Sequence, residues 1–326
     1  MEQIAVDKKS IKKDGGRMGL AALLYALINL LVSMVWLIGE GVVRFILKAG
    51  NATDPAELDR ILEEVLNSLL ESGTYMIVGV VAGLIFLLLY FHKHGTHRQL
   101  FKNERKMTPG KFGALACVFF GGQLVFSLGY ELMEAGLNLV GLSAEAAMEI
   151  ASGGSRTVSM FLYAGIIGPI AEELVYRGFL MRHLEKHGKT LAIVVTSLLF
   201  GIMHGNLPQG LFAAAVGLVL GYVAMEYSIL WSIVLHILNN MVLGDLLPLA
   251  LSGLSETTQG IISWAINGVF LLIGVVVLIK NRKELVSWIR ANAWEKPRMR
   301  WILLNVSTII FIVVHLLLAV FTLTKI

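Results

Sequence analysis

Runs of about twenty apolar residues recur along this chain, and no other feature limits its fold so tightly. They lie near 18–47, 74–91, 113–140, 158–180, 190–205, 208–226, 229–250, 259–280 and 301–323. A helix rises 1.5 Å per residue, so about twenty residues cross the ~30 Å hydrocarbon core of a bilayer. Barrel strands would be shorter and would alternate with period two; these runs do neither. Backbone amides buried in lipid must be paired within their own segment, which a helix achieves and an open strand does not. Composition agrees: 56% of the 326 residues are hydrophobic and 15% are charged, against roughly 25% charged in a soluble domain. The expectation is an all-α polytopic membrane bundle of eight or nine transmembrane helices. The count turns on whether the short pair at 190–205 and 208–226 crosses fully or is partly re-entrant.

Loop charge orients the bundle. Lys8, Lys9, Lys12, Lys13 and Arg17 precede the first run, which extends from Met18 to about Leu47 and is too long for a cleaved signal peptide. The stretch after the second run carries Lys93, Arg98, Lys102, Arg105, Lys106 and Lys111, and the loop from Lys280 to Arg300 is also basic. Asp54, Glu57, Asp59, Glu63, Glu64 and Glu71 instead fill the loop after the first run, which reads as a short surface helix. Cytoplasmic loops are enriched in Lys and Arg, so the sequence predicts a multi-pass cell-membrane protein with a cytoplasmic N-terminus. The net charge of +4 follows from this bias and does not point to nucleic acid. A single cysteine, Cys117, excludes an internal disulfide and a cysteine-based zinc cluster.

No repeat or low-complexity segment divides the chain. Residues 1–112 read as an N-terminal pair of spans with one acidic and one basic loop, 113–250 as a polar-decorated centre, and 251–326 as C-terminal helices. Gly217 and Gly221 form a GxxxG pair, a sequence that brings helices close. Asn51 to Thr53 match a glycosylation acceptor, a pattern common by chance.

Ionisable groups within lipid cost at least ~2.5–3.5 kcal/mol each and are functional by default. Three places in the centre break the apolar rule, each at i, i+4 spacing. In the first, Glu172-Glu173-Leu-Val-Tyr-Arg177, Glu173 and Arg177 share a helical face and can pair, while Glu172 is turned about 100° away and is left free. Pro169, just upstream, removes a backbone donor and orphans the carbonyl four residues back. The second is Phe200-Gly-Ile-Met-His204. The third, His236-Ile-Leu-Asn-Asn240, stacks an imidazole above an amide, two donors that could share an anion. Singly, each has a structural reading: an ion-pair tie, a satisfied histidine, an amide holding helices together. Jointly they are the set a buried hydrolytic site needs. His92, His94, His97, His183 and His187 fall in or beside basic loops and read as solvated surface. Met203 reads as packing and Asp245 as an interfacial charge.

These three motifs, in this order and each within an apolar run, resemble the CAAX protease and bacteriocin-processing family, also called CPBP or Abi. The RGFL that follows the first motif and the glycine after Phe200 add to the likeness, which covers roughly 113–250. The resemblance implies an intramembrane endopeptidase, CAAX prenyl protease-like, acting on a peptide or protein substrate near the membrane, prenylated in one branch of the family. It implies that Glu172 with His204 polarises the attacking water and that His236 and Asn240 hold the oxyanion. Glu173, Arg177 and Phe200 would support the motif helices. Members are described both as metalloproteases and as metal-free glutamate proteases. Glu172, His204 and His236 could hold one divalent metal such as zinc with water as fourth ligand, yet no H-E-x-x-H is present; a mechanism without cofactor is the first expectation. Two other classes compete. One is a non-proteolytic scaffold, immunity or regulatory protein on the same fold. The other is an ion transporter, for which no inverted repeat with matching broken helices is seen.

Overall fold

The structure, a computed structural model, describes all residues except Met1, Asn51, Gly153 and Arg156. Asn51, and with it the glycosylation-acceptor match, lies outside the described residues. Among the described residues twelve α-helical elements follow one another, with a short 3-10 turn at Thr96–Gln99 between the third and the fourth. They are α1 (Glu2–Ala49), α2 (Pro55–Leu70), α3 (Thr74–His92), α4 (Pro109–Asn138) and α5 (Glu145–Ser152), then α6 (Val158–His187), α7 (Lys189–Ile202) and α8 (Leu207–Glu226). The last four are α9 (Ile229–Leu251), α10 (Glu256–Ala291), α11 (Lys296–Leu303) and α12 (Val306–Phe321). A two-residue strand β1 (Leu142–Ser143) pairs antiparallel with β2 (Thr324–Lys325).

Local chemistry sets the helix starts. Thr108 accepts a hydrogen bond from the Lys111 amide and Pro109 occupies the first turn of α4, where its missing N–H costs nothing. Asn206 caps α8 in the same way through the Gln209 amide. Gly188 makes the turn from α6 to α7 at φ 133°, a conformation closed to side chains with a Cβ.

Among the described residues, seven helices are long and apolar enough to cross a membrane, or eight if the pair at α11 and α12, bent by 73°, is one span. Eight lies within the expected eight or nine; the ninth is not reached by length, because α7 has 14 residues and measures only about 21 Å. Glycines let α7 pack closely against α8. A Cβ on Gly201 would lie 2.4 Å from the Gly210 carbonyl oxygen, and one on Gly221 would lie 2.9 Å from Ile193. Gly217 and Gly221 therefore form a contact face, as their spacing predicts.

The main core gathers Ile11, Met18 and Tyr25 of α1, Val175 and Tyr176 of α6, Leu191 and Phe200 of α7, and Phe311 of α12. A second cluster joins Phe119 and Phe120 of α4 to Val216 and Leu220 of α8 and Leu235 of α9. Among the described residues, α4, α8 and α10 leave a groove of about 380 Å³, walled by Gly121, Phe126, Phe212 and Leu271.

The basic segments meet at one end. Arg105 reaches Glu226 at 3.2 Å and Glu284 at 3.1 Å, and Lys102 reaches Glu185 at 3.0 Å. At this end His183 and His187, expected on the surface, are buried instead. Both face the buried Asp14 of α1, His187 Nε2 at 2.8 Å and His183 Nε2 at 3.4 Å, and Lys186 joins them at 2.9 Å. The first turns of α1 cover this stretch of α6, which loop charge alone did not foretell. His92 and His94 are exposed and His97 half-buried. Asp245 accepts a hydrogen bond from the Ser155 amide at 3.1 Å. The acidic helix α2 sits at the opposite end, its Val65 and Leu69 buried and Glu71 O accepting from Thr157 Oγ1.

Candidate active site

Helices α6, α7 and α9 supply the polar residues of the centre, and α6 and α9 are not regular where they do so. α6 contains π-helical segments at Tyr163–Ile167 and Leu174–Leu180, and α9 contains one at Leu238–Leu246. Each widened turn shifts the following residues around the axis, and such segments recur at functional sites. The shift changes one sequence-based expectation. The Gly168 N–H reaches the Tyr163 carbonyl, five residues back. In that register the partner due to Ala164 O is residue 169, a proline without N–H. The Ala164 carbonyl is thus also left without a main-chain donor, and Asn240 Nδ2 donates to it at 3.1 Å.

Glu173 is fully buried and surrounded by donors. Arg177 Nη1 lies 3.0 Å from its Oε1, Ser232 Oγ donates to its Oε2, and His236 Nδ1 donates to Oε1 at 3.0 Å. The expected Glu173–Arg177 pair is present, with both side chains 0% exposed. Pairing offsets much of the desolvation penalty of each charge. The guanidinium also lies 4.0 Å from the centre of the Phe200 ring, a favourable cation–π distance. It has room there because Gly217 faces it: a Cβ on Gly217 would lie 3.0 Å from Arg177 Nη2.

Phe200 is the hub. Tyr176, His204 and His236 all stand edge-on to its ring, with centroids 5.4, 5.0 and 5.9 Å away. Both histidines are tautomerically fixed on one side, because their partners only accept. His204 Nδ1 donates to the Phe200 carbonyl at 2.8 Å, and His236 Nδ1 donates to Glu173. Each thus offers Nε2 to the space between the helices. His236 Nε2 lies 3.7 Å from Glu172 Oε2, beyond a direct hydrogen bond and short enough for one water to bridge. Glu172 keeps 22% of its side chain exposed, while Glu173 beside it keeps none. His204 lies within electrostatic range of both Glu172 and His236. Glu172, His204 and His236 are thus drawn towards one spot, with Glu172 the partly open member, while Asn240 is tied to Ala164 of α6.

Two tyrosines that spacing did not flag feel the charge of Glu172. The hydroxyls of Tyr25 in α1 and Tyr163 in α6 are within electrostatic range of it. Gly83 of α3 makes the room for Tyr25, since a Cβ there would lie 2.6 Å from the ring. Ser232 was within reach of sequence reasoning, being four residues before His236 on the same helical face. Tyrosines in apolar runs carry no comparable signal.

Among the described residues no three His, Cys, Asp or Glu side chains stand close enough to hold a metal ion. His236 Nδ1 is engaged by Glu173, which leaves Nε2 as the free donor of that ring.

Residues 154–242, which hold all four side chains, match the family model described as type II CAAX prenyl endopeptidase Rce1-like. In this segment the chain is similar to the CAAX prenyl endopeptidases. The chain is also 26% identical over 181 residues to "Putative membrane peptidase YdiL" of Bacillus subtilis (strain 168), an overlap of 53% of this chain and 71% of that protein. No solved structure matches the chain significantly. The CAAX protease-like segment covers α6 to α9, so α1, which brings Tyr25 and Asp14 to it, lies outside the matched stretch.

Proposed function

We propose that the chain is an intramembrane endopeptidase, CAAX prenyl protease-like, which hydrolyses a peptide bond of a membrane-associated peptide or protein. The observation that carries this reading is the contrast between the two adjacent carboxylates. Glu173 is saturated by Arg177, Ser232 and His236, whereas Glu172 is partly open and faces His236 Nε2.

In the proposed reaction a water held between Glu172 and His204 Nε2 attacks the scissile carbonyl carbon. Its proton passes to Glu172, and the carbonyl oxygen becomes an oxyanion. Asn240 has a second Nδ2 proton to offer that oxyanion, and His236 can add another from Nε2 in its doubly protonated form. Collapse breaks the C–N bond, and Glu172 returns its proton to the departing amine nitrogen. Glu173 holds His236 in the tautomer that leaves Nε2 facing the site, in the manner of a buried carboxylate orienting an imidazole. No metal is needed for any of these transfers.

The test is cleavage of prenylated and unprenylated peptides by the purified full-length protein. Glu172→Gln should lower kcat by about 10²–10⁴-fold, the usual worth of a general base, with Tm unchanged. Prolonged dialysis against a chelator should leave the wild-type rate intact. Loss of activity on dialysis, restored by zinc, would assign Glu172 to a metal instead. An inert wild type that retains its partners and phenotype after Glu172→Gln would identify a scaffold.

A further inference from the structure

Gln123 stands in the middle of α4, inside FFGGQLVF, where a side-chain amide without a partner would be costly. It lies outside the segment that matches the family. Its Nε2 donates to Asn239 Oδ1 at 2.6 Å, Asn239 Nδ2 donates to Asn240 Oδ1 at 3.0 Å, and Asn240 Nδ2 donates to the Ala164 carbonyl at 3.1 Å. The direction of this chain is fixed at its far end. A carbonyl can only accept, so Asn240 must turn its NH2 towards Ala164 and its oxygen towards Asn239. Asn239 must then spend an N–H on that oxygen and present its own oxygen to Gln123, the donor that completes the series. Reversing any one amide would set oxygen against oxygen or NH2 against NH2.

An Asn side chain has a broad terminal torsion and rotates readily unless both ends are held. Here both ends are held, and one of the two Nδ2 protons of Asn240 is spent on Ala164. We propose that Gln123 and Asn239 are positioning residues, which lock the Asn240 amide so that its remaining N–H points at the reacting carbonyl. The inference rests on the peptidase reading for its purpose and on the hydrogen-bond chain for its geometry. Donors aimed in advance at the oxyanion avoid reorganisation during the reaction, so the effect belongs in turnover and not in substrate affinity. Interhelical adhesion alone would instead predict lost stability with kinetics unchanged in the surviving protein.

Two variants test it in the full-length protein in detergent. Gln123→Met removes the last donor at similar volume. Asn239→Asp still accepts from Gln123 but cannot donate to Asn240, so it drives Asn240 to reverse. Each should lower kcat about tenfold, as loss of an outer supporting contact does, while KM stays within about twofold. A kcat equal to wild type in both, or a raised KM alone, would overturn the proposal. A second readout does not need turnover. In protein labelled with 15N-asparagine, the side-chain signal of Asn240 is identified by its loss in Asn240→Asp. Its two Nδ2 protons should be distinct and slowly exchanging in wild type, and should exchange several times faster in Gln123→Met. An unchanged signal would overturn the positioning role. A sensitive signal in a protein that cleaves no peptide would leave the positioning intact and overturn the peptidase reading instead.

Discussion

Arg177 illustrates how differently two charged neighbours can be used. Its guanidinium is sealed between Glu173, the Phe200 face and the space left by Gly217. Replacing it with Leu would leave Glu173 buried with Ser232 and His236 as partners and no permanent cation. Removing one member of a buried pair costs about 3–5 kcal/mol, so Arg177→Leu should lower Tm markedly in detergent, with a matching loss of folded yield. Glu172→Gln should do neither, because that side chain is partly exposed and its contact with His236 is long, at 3.7 Å. An unchanged Tm in Arg177→Leu would contradict the structural duty assigned here. Glu172, Glu173, Arg177, His204, His236 and Asn240 were all legible in the sequence, since polar groups stand out in apolar runs. Their division of labour was legible only where partners share a helix. Helical spacing gave Glu173–Arg177, but the bond from His236 to Glu173 joins α9 to α6, and no period within either helix reports it. Gln123 and Tyr25 were missed for a related reason: each makes sense only beside a residue from a distant helix.

At the level of the helix, the apolar runs located the spans well, and capping residues such as Thr108 and Asn206 account for where α4 and α8 begin. What the runs did not disclose is the π-helical register in α6 and α9. One extra residue in a turn leaves hydropathy untouched while rotating everything beyond it by about 100°. Pro169 was visible as a backbone break, yet the register decides which carbonyls it frees, and Ala164 is among them. Pro169→Ala restores an N–H at the position facing that carbonyl. An interior proline costs a helix about 3 kcal/mol, so Tm should hold or rise. The restored donor would compete with Asn240, and kcat should fall about tenfold, within the range seen when oxyanion contacts are disturbed. A variant as active as wild type would show that Asn240 does not depend on this vacancy.

Across the whole molecule, contacts sort the loops into two ends. Arg105, Lys102 and the first turns of α1 meet at one, whereas α2 and the β1–β2 pair lie at the far ends of α1 and α4. The loop charges predicted this grouping, and the expectation that follows from them is a cytoplasmic basic end. With Cys117 replaced by Ser, a cysteine introduced by Glu57→Cys or Lys325→Cys should react with an impermeant maleimide on intact cells. One introduced by Arg98→Cys should react only after permeabilisation. The opposite pattern would invert the topology. Sequence could not show how deeply the terminal helices are built in, because burial of Ile11, Tyr25 and Phe311 beside Phe200 depends on how the bundle closes and not on any single run.

The proline in α6 carries one more implication. Because position 169 can never form the bond that Ala164 lacks, the landing place for Asn240 is written into the main chain and survives any exchange of the surrounding apolar side chains. A library that randomises apolar side chains around the site to change which peptides enter should thus retain the aim of its amide, provided that Pro169, Gln123 and Asn239 are left alone.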